Sequence, residues 1–211
     1  MMLILKKIIW LCKFIWSLVL VEDKFEFVCR PEFFYKKIPV DIAHTCLSYK
    51  YQEVRHLIHS FKYNKNSDAL NICADFLAEK ILETSKQTNL QNHTLIPIPR
   101  SKIRLQKYGF DQCKILCKKI LENSEIKKLN IIYEPNILIH QKHFESQTKS
   151  NRTERIKNSK NTFFIKNPDL IFKQEIILID DVWTTGATLL DASRALKKAK
   201  VLKISCFTIA H

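Results

Sequence analysis

Residues 175–188 read EIILIDDVWTTGAT, and a helical pattern follows from Ala187 to Lys198. Ile176 to Ile179 form an apolar, largely β-branched run closed by two acids, the reading of a parallel strand buried on both faces. In an open α/β sheet, ligands bind beyond the carboxyl ends of the strands. Here that end carries Asp180 and Asp181, then a hydroxyl-rich turn. A helix N-terminus offers unpaired backbone N–H groups and the positive end of its dipole. Thr184, Thr185, Gly186, Ala187 and Thr188 are therefore placed to wrap a phosphate, with Gly186 allowing close backbone approach. The acids repel a phosphate but suit the hydroxyls of a sugar, or a Mg²⁺ held through it. A phosphate cradle beside a diol acceptor describes a ribose 5-phosphate. A Walker A loop is excluded, since no Gly-Lys-Thr/Ser follows. A response-regulator acidic pair fits poorly, because such acids close the first strand of their domain and only about thirty residues remain here.

Outward from this stretch the order is β/α. Residues 49–66 and 67–85 each carry apolar residues at three- and four-residue spacing and read as helices, the second capped by Ser67 or Asp68. A polar connector leads to the short strand LIPIP, whose prolines suit a strand end. A helix from Asp111 to Leu121, a strand-like IIYEPNILIH, a polar tract from Gln141 to Asn161 and the strand TFFI precede the acidic strand, and KISCFTIA closes the sheet. Residues 25–46 read as irregular and rich in aromatics. The expected fold class is α/β, a parallel sheet flanked by helices, with a domain over 46–211 and an N-terminal appendage over 1–45.

The chain of 211 residues has only two glycines, Gly109 and Gly186, where average usage would give roughly 15. Both are expected where no side chain is tolerated. Seven cysteines, at 12, 29, 46, 73, 113, 117 and 206, are dispersed through apolar segments and form no CxxC pair. That is the pattern of reduced thiols rather than of a secreted disulfide framework. Cys113 and Cys117 lie four apart on one helix face and read as core. The net charge of +14 suits an anionic partner, or equally a Lys-rich surface. About +9 of it lies between Arg100 and Lys160, interleaved with Tyr108, Phe110, Tyr133 and Phe144, the mix of cations and rings that single strands favour. The first 21 residues are very apolar but broken by Lys6, Lys7 and Lys13, too short an uninterrupted stretch to span a bilayer. No small-x-small cleavage site follows. The readings for this segment are a helix docked on the fold or a partner, one lying peripherally on the inner membrane surface, or a spanning or cleaved segment.

The strand, the two acids and the Thr-Thr-Gly-x-Thr turn together resemble the phosphoribosyl pyrophosphate (PRPP) signature of type I phosphoribosyltransferases. Residues 96–112, IPIPRSKIRLQKYGFDQ, are similar to the Pro-x-Pro…Arg-Gly-Phe-Asn-Gln segment of the ComF family, competence-associated phosphoribosyltransferase-like proteins that include the GntX group. Tyr49…Val54-Arg55…Lys62-Tyr63 and Gln147…Arg155…Asn158…Phe163 resemble two further stretches of that family, so the likeness runs from about residue 46 to the end. Tyr108 and Asp111 stand where the family usually has Arg and Asn. His140, Lys142 and His143 replace its usual arginines and threonine. Many members begin with a four-cysteine zinc ribbon. Cys12, Cys29, His44 and Cys46 lack its paired spacing, so no zinc site is expected.

The resemblance implies that Asp180 and Asp181 hold the ribose hydroxyls and, through them, Mg²⁺, and act as the catalytic pair. It implies that residues 184–188 hold the 5-phosphate. Arg100 and Ser101, with Lys62, would meet the pyrophosphate. Lys142, Gln147 and Arg155 would lie in a mobile hood loop over 141–155. Thr184 occupies a position where purine-salvage members carry an acid that handles the base, which argues against that reaction. The implied function is a cytoplasmic protein of natural competence, binding PRPP or a ribose 5-phosphate while it handles single-stranded DNA with other competence proteins. The alternative is an active phosphoribosyltransferase, a glycosyltransferase of nucleotide metabolism or salvage acting on PRPP with an unnamed acceptor.

Overall fold

The computed structural model of the chain describes residues 41–63, 66–88, 93–140 and 162–211. Its centre is β6 (Glu175–Val182) and β7 (Lys203–Ala210), two strands buried along nearly their whole length. Their side chains alternate between two cores, as the two-residue period of a strand requires. Ile177, Ile179, Phe207 and Ile209 face one core, and Ile176, Leu178, Ile204 and Cys206 face the other. Because both faces need apolar side chains, the sequence reads as a continuous hydrophobic run.

Five strands form one parallel sheet. β1 (Ile42–Leu47) lies at one edge beside β7, and β2 (Thr94–Pro97) separates β6 from β3 (Ile132–Tyr133). The helices divide between the faces. α1 (Gln52–Tyr63), α2 (Ser67–Thr88) and α4 (Gln112–Glu122) bury Phe61, Leu77 and Leu116 in the first core. α6 (Ala187–Lys198) buries Leu189, Ala192 and Leu196 in the second. A short α3 (Lys102–Tyr108) buries nothing, and α5 (Ser124–Lys127) is a single turn that buries Ile126.

This order has one reversal. After β2 the chain moves outward to β3, whereas after β6 it moves the opposite way to β7. Adjacent strands whose connections part in this way leave a crevice at their carboxyl ends, the place where doubly wound sheets bind ligands. The segments that end β2 and β6 are those that carry Arg100 and Asp180-Asp181.

The expected α/β class, a parallel sheet flanked by helices, is what the structure has, and α6 and β7 have the expected bounds. Three local readings are corrected. IIYEPNILIH is not one strand: β3 joins the main sheet, while β4 (Leu138–His140) pairs antiparallel with β5 (Phe163–Ile165) in a separate hairpin. Pro135, which donates no backbone hydrogen bond, and Asn136 separate the two pieces. Residues 42–46, read as irregular, belong to β1. The cap of α2 is neither Ser67 nor Asp68. Asn66 accepts through Oδ1 from the backbone N–H groups of Asp68 (2.9 Å) and Ala69 (3.1 Å). The acidic strand is where EIILIDD places it, running through both acids and one residue further to Val182. The N-terminal segment 1–40 and the tract 141–161 lie outside the described residues.

Candidate functional site

A cleft of about 690 Å³ opens at the crevice between β2 and β6. Its floor is the end of β6. Asp180 and Asp181 are buried there, and each turns a carboxylate oxygen back on the main chain. Asp180 Oδ1 accepts from Asp181 N (2.8 Å), and Asp181 Oδ1 accepts from Val182 N (2.6 Å).

The two acids are not equivalent. Asp181 is neutralised: Lys62 Nζ lies 3.0 Å from its Oδ1, and the Arg100 guanidinium pairs with its Oδ2. Asp180 has no such direct ion pair among the described residues and receives the Cys113 thiol at 3.6 Å on Oδ1. Burial raises its carboxyl from 3.8 to about 6, against the pull of Arg100 and Lys62 in the other direction. Burial likewise lowers the Lys62 ammonium, with the Arg100 charge adding to the effect.

Three separate elements converge to make this arrangement. Lys62 comes from the last turn of α1, which is held in place by Gln112, whose side-chain amide donates to the Lys62 carbonyl at 3.2 Å. Arg100 comes from the loop after β2. That loop is pinned by Asp111, whose Oδ2 accepts from Arg100 N (3.3 Å) while Oδ1 caps α4 at Lys114 N (3.2 Å). Asp111, the residue at a position where the family usually has Asn, thus performs a capping role open to either side chain. Ser101 caps α3 by accepting from Arg104 N at 3.4 Å, and it also lines the cleft.

The opposite wall is the start of α6. Thr184, Ala187 and Thr188 line the cleft, whereas Thr185 and Gly186 build the turn behind them. Gly186 is buried with φ 73°, a left-handed conformation that a β-carbon disfavours, and it supplies no side-chain cap. Gly109 meets the same demand at φ 77°, ending α3 with its N–H on the Leu105 carbonyl (2.7 Å). Both rare glycines therefore occupy left-handed positions.

The cleft brings together Lys62, Arg100, Ser101, Asp180, Asp181, Thr184, Ala187 and Thr188 from the sequence reading. Lys142, Gln147 and Arg155 fall outside the described residues. Sequence reasoning missed the contact of Cys113 with Asp180. The i, i+4 pairing with Cys117 signals only a buried face, and nothing in the local sequence reports a partner 67 residues away. It also missed Asp191, which receives Thr162 N at 2.6 Å and ties α6 to the start of β5. Cys113, Asp180 and Asp181 each offer a ligand atom within 4.8 Å of the others. With Lys62 and Arg100 already on Asp181, that cluster suits a cation held through a ligand's hydroxyls better than one held by the protein alone.

A parallel sheet with a switch point, two acids on the β6 floor and a glycine turn opening the next helix define the class as a type I phosphoribosyltransferase-like α/β fold. Within that class the chain is a relative of the ComF competence proteins. It is 32% identical over 163 residues to competence protein ComFC of Bacillus subtilis, covering 76% of this chain and 61% of that protein. It is 29% identical over 137 residues to competence protein F of Haemophilus influenzae, covering 64% and 57% respectively. A match to Streptococcus pneumoniae ComFC has 24% identity over 172 residues, 82% of this chain and 70% of the relative. The chain thus spans about three fifths of the length of the first two relatives. No protein-family model matches it. Among solved structures it is similar to the B. subtilis glutamine PRPP amidotransferase, at 11% identity and a TM-score of 0.43, over 72% of this chain and 30% of that one. It is also similar to a hypoxanthine phosphoribosyltransferase of Trypanosoma cruzi, at 12% identity and 0.40, over 67% and 63%. Among the described residues no helix is long and apolar enough to cross a membrane.

Proposed function

We propose that the cleft binds PRPP or a related ribose 5-phosphate, and that the protein serves natural competence in the cytoplasm by handling single-stranded DNA. The observation that carries the ligand reading is the opposition of charges across one crevice. The start of α6, with Thr184 and Thr188, lines the same cleft as the cations Lys62 and Arg100 and the two carboxylates. A phosphoribosyl ligand has that sequence of groups: phosphate, diol, then pyrophosphate.

The 5-phosphate would take the N–H groups opening α6, and the ribose hydroxyls would donate to Asp180 and Asp181. Pyrophosphate would draw Arg100 and Lys62 away from Asp181, an exchange of one anion for another that frees the carboxylate for the sugar. The hard carboxylate oxygens of Asp180 and Asp181 fit Mg²⁺ held through the ligand's hydroxyls, and such a cation would supply positive charge against the pyrophosphate. The competence role is supported by the names of the relatives and by the basic, aromatic-bearing sequence between Arg100 and Lys160.

Calorimetric titration with PRPP, with and without Mg²⁺, tests the reading. Wild-type protein is expected to bind in a metal-dependent way, and the Asp180→Ala/Asp181→Ala variant is expected not to. Absence of binding at millimolar PRPP would refute the ligand assignment.

A further inference from the structure

Beside the cleft lies a second cavity of about 400 Å³ along the exposed face of α1, with Tyr49 and Lys62 shared as a common wall. Arg55, His59 and Tyr63 recur at four-residue spacing and form one stripe there. No carboxylate lines this groove among the described residues. At its end the rings run in series. His59 and Tyr63 have centroids 4.7 Å apart, Tyr63 and Tyr108 are 5.1 Å apart, and the Lys107 ammonium sits 5.3 Å from the Tyr108 centroid. Tyr63 is 45% exposed, although α1 already anchors itself by burying Val54, Leu57 and Phe61 in the core. These rings are not needed to hold the helix.

We propose that this stripe is a base-stacking subsite for single-stranded nucleic acid, with bases against Tyr63 and Tyr108 and backbone phosphates against Arg55 and Lys107. The inference rests on the competence reading above and says where the strand lies. Unpaired bases expose the ring faces that tyrosines stack on, whereas a duplex hides them. An acidic peptide would use the cations and leave the rings idle. Arg55 and Tyr63 do not themselves line the phosphoribosyl cleft, although Tyr49 and Lys62 of the same stretch do.

Fluorescence anisotropy with a labelled oligo-dT of about 20 nucleotides, with duplex DNA and polyglutamate as competitors, decides the matter. Tyr63→Ala/Tyr108→Ala should weaken single-strand binding by roughly tenfold or more, with thermal melting as the check of folding. Tyr63→Trp should retain it, and duplex and polyglutamate should compete poorly. Arg55→Ala, at an exposed position, should lower the slope of log affinity against log salt by about one and serves if the tyrosine variant does not fold. Wild-type binding left intact by the tyrosine and Arg55 variants, or equal competition by polyglutamate, overturns the subsite and leaves the competence reading standing. No single-strand binding by the wild type overturns both.

Discussion

Two strand–loop–helix units flank the cleft, and they hold their helices by opposite means. After β2, α3 buries no side chain and is fixed at its ends, by the Ser101 hydroxyl at one and the left-handed Gly109 at the other. After β6, α6 is fixed by its buried face, Leu189, Ala192, Ala195 and Leu196, its N-cap Gly186 has no side chain to offer, and its start takes only a long contact of 3.4 Å from Ala187 N to the exposed Thr185 Oγ1. A helix as short as α3 has too little propensity to persist unaided and spends its terminal donors on itself. A helix anchored by packing can leave its terminal donors for a ligand. The same topology thus yields a cation-bearing loop on one side and an anion-accepting turn on the other.

The sharpest break in that contrast is expected at Arg100. Arg100→Ala removes one of the two cations on buried Asp181 and should destabilise the fold by about 3 kcal/mol, the scale for an orphaned buried charge. Urea unfolding at neutral pH measures it. A loss below about 1 kcal/mol would mean that Lys62 alone neutralises the acid.

Asp180 responds in the other direction. Its carboxyl is raised from 3.8 to about 6, so between those values the folded protein holds a proton the unfolded chain has released. Stability contributed by that proton is lost as pH rises through the window. Asp180→Asn, neutral throughout, should match the wild type near pH 4 and exceed it by about 1–3 kcal/mol above pH 6. Parallel unfolding curves across that range would contradict the burial argument.

The glycines sharpen the comparison further. Gly186→Ala and Gly109→Ala each place a β-carbon at positive φ and should each cost about 1–2 kcal/mol. Only the first should also weaken phosphate binding. A smaller effect, about 1 kcal/mol of stability, is expected when Ser101→Ala uncaps α3.

The sequence was most legible where one physical demand acted alone. β6 and β7 are buried on both faces, so their apolar runs announce them, and Gly186 is conspicuous because a glycine-poor chain places one there. Legibility failed where demands overlapped. In IIYEPNILIH the apolar count is blind to Pro135, which lets β3 and β4 join different sheets. In β1, His44 and Thr45 disguise a strand: His44 stacks on Phe207 with centroids 4.7 Å apart, and burial lowers its imidazole to about 4. The acids and the phosphate turn were readable from one contiguous stretch. The pairing of Asp181 with Lys62 and Arg100 was not, since those three residues come from separate elements and only the folded sheet brings them together.

Ribose 5-phosphate, which lacks the pyrophosphate, isolates the α6 side of the cleft. Its calorimetric titration into wild type, Ser101→Ala and Gly186→Val protein compares the two units directly. Binding should persist in Ser101→Ala and disappear in a folded Gly186→Val. Equal loss in both variants, or binding that survives Gly186→Val, would contradict the claim that the glycine turn opening α6 is the phosphate site.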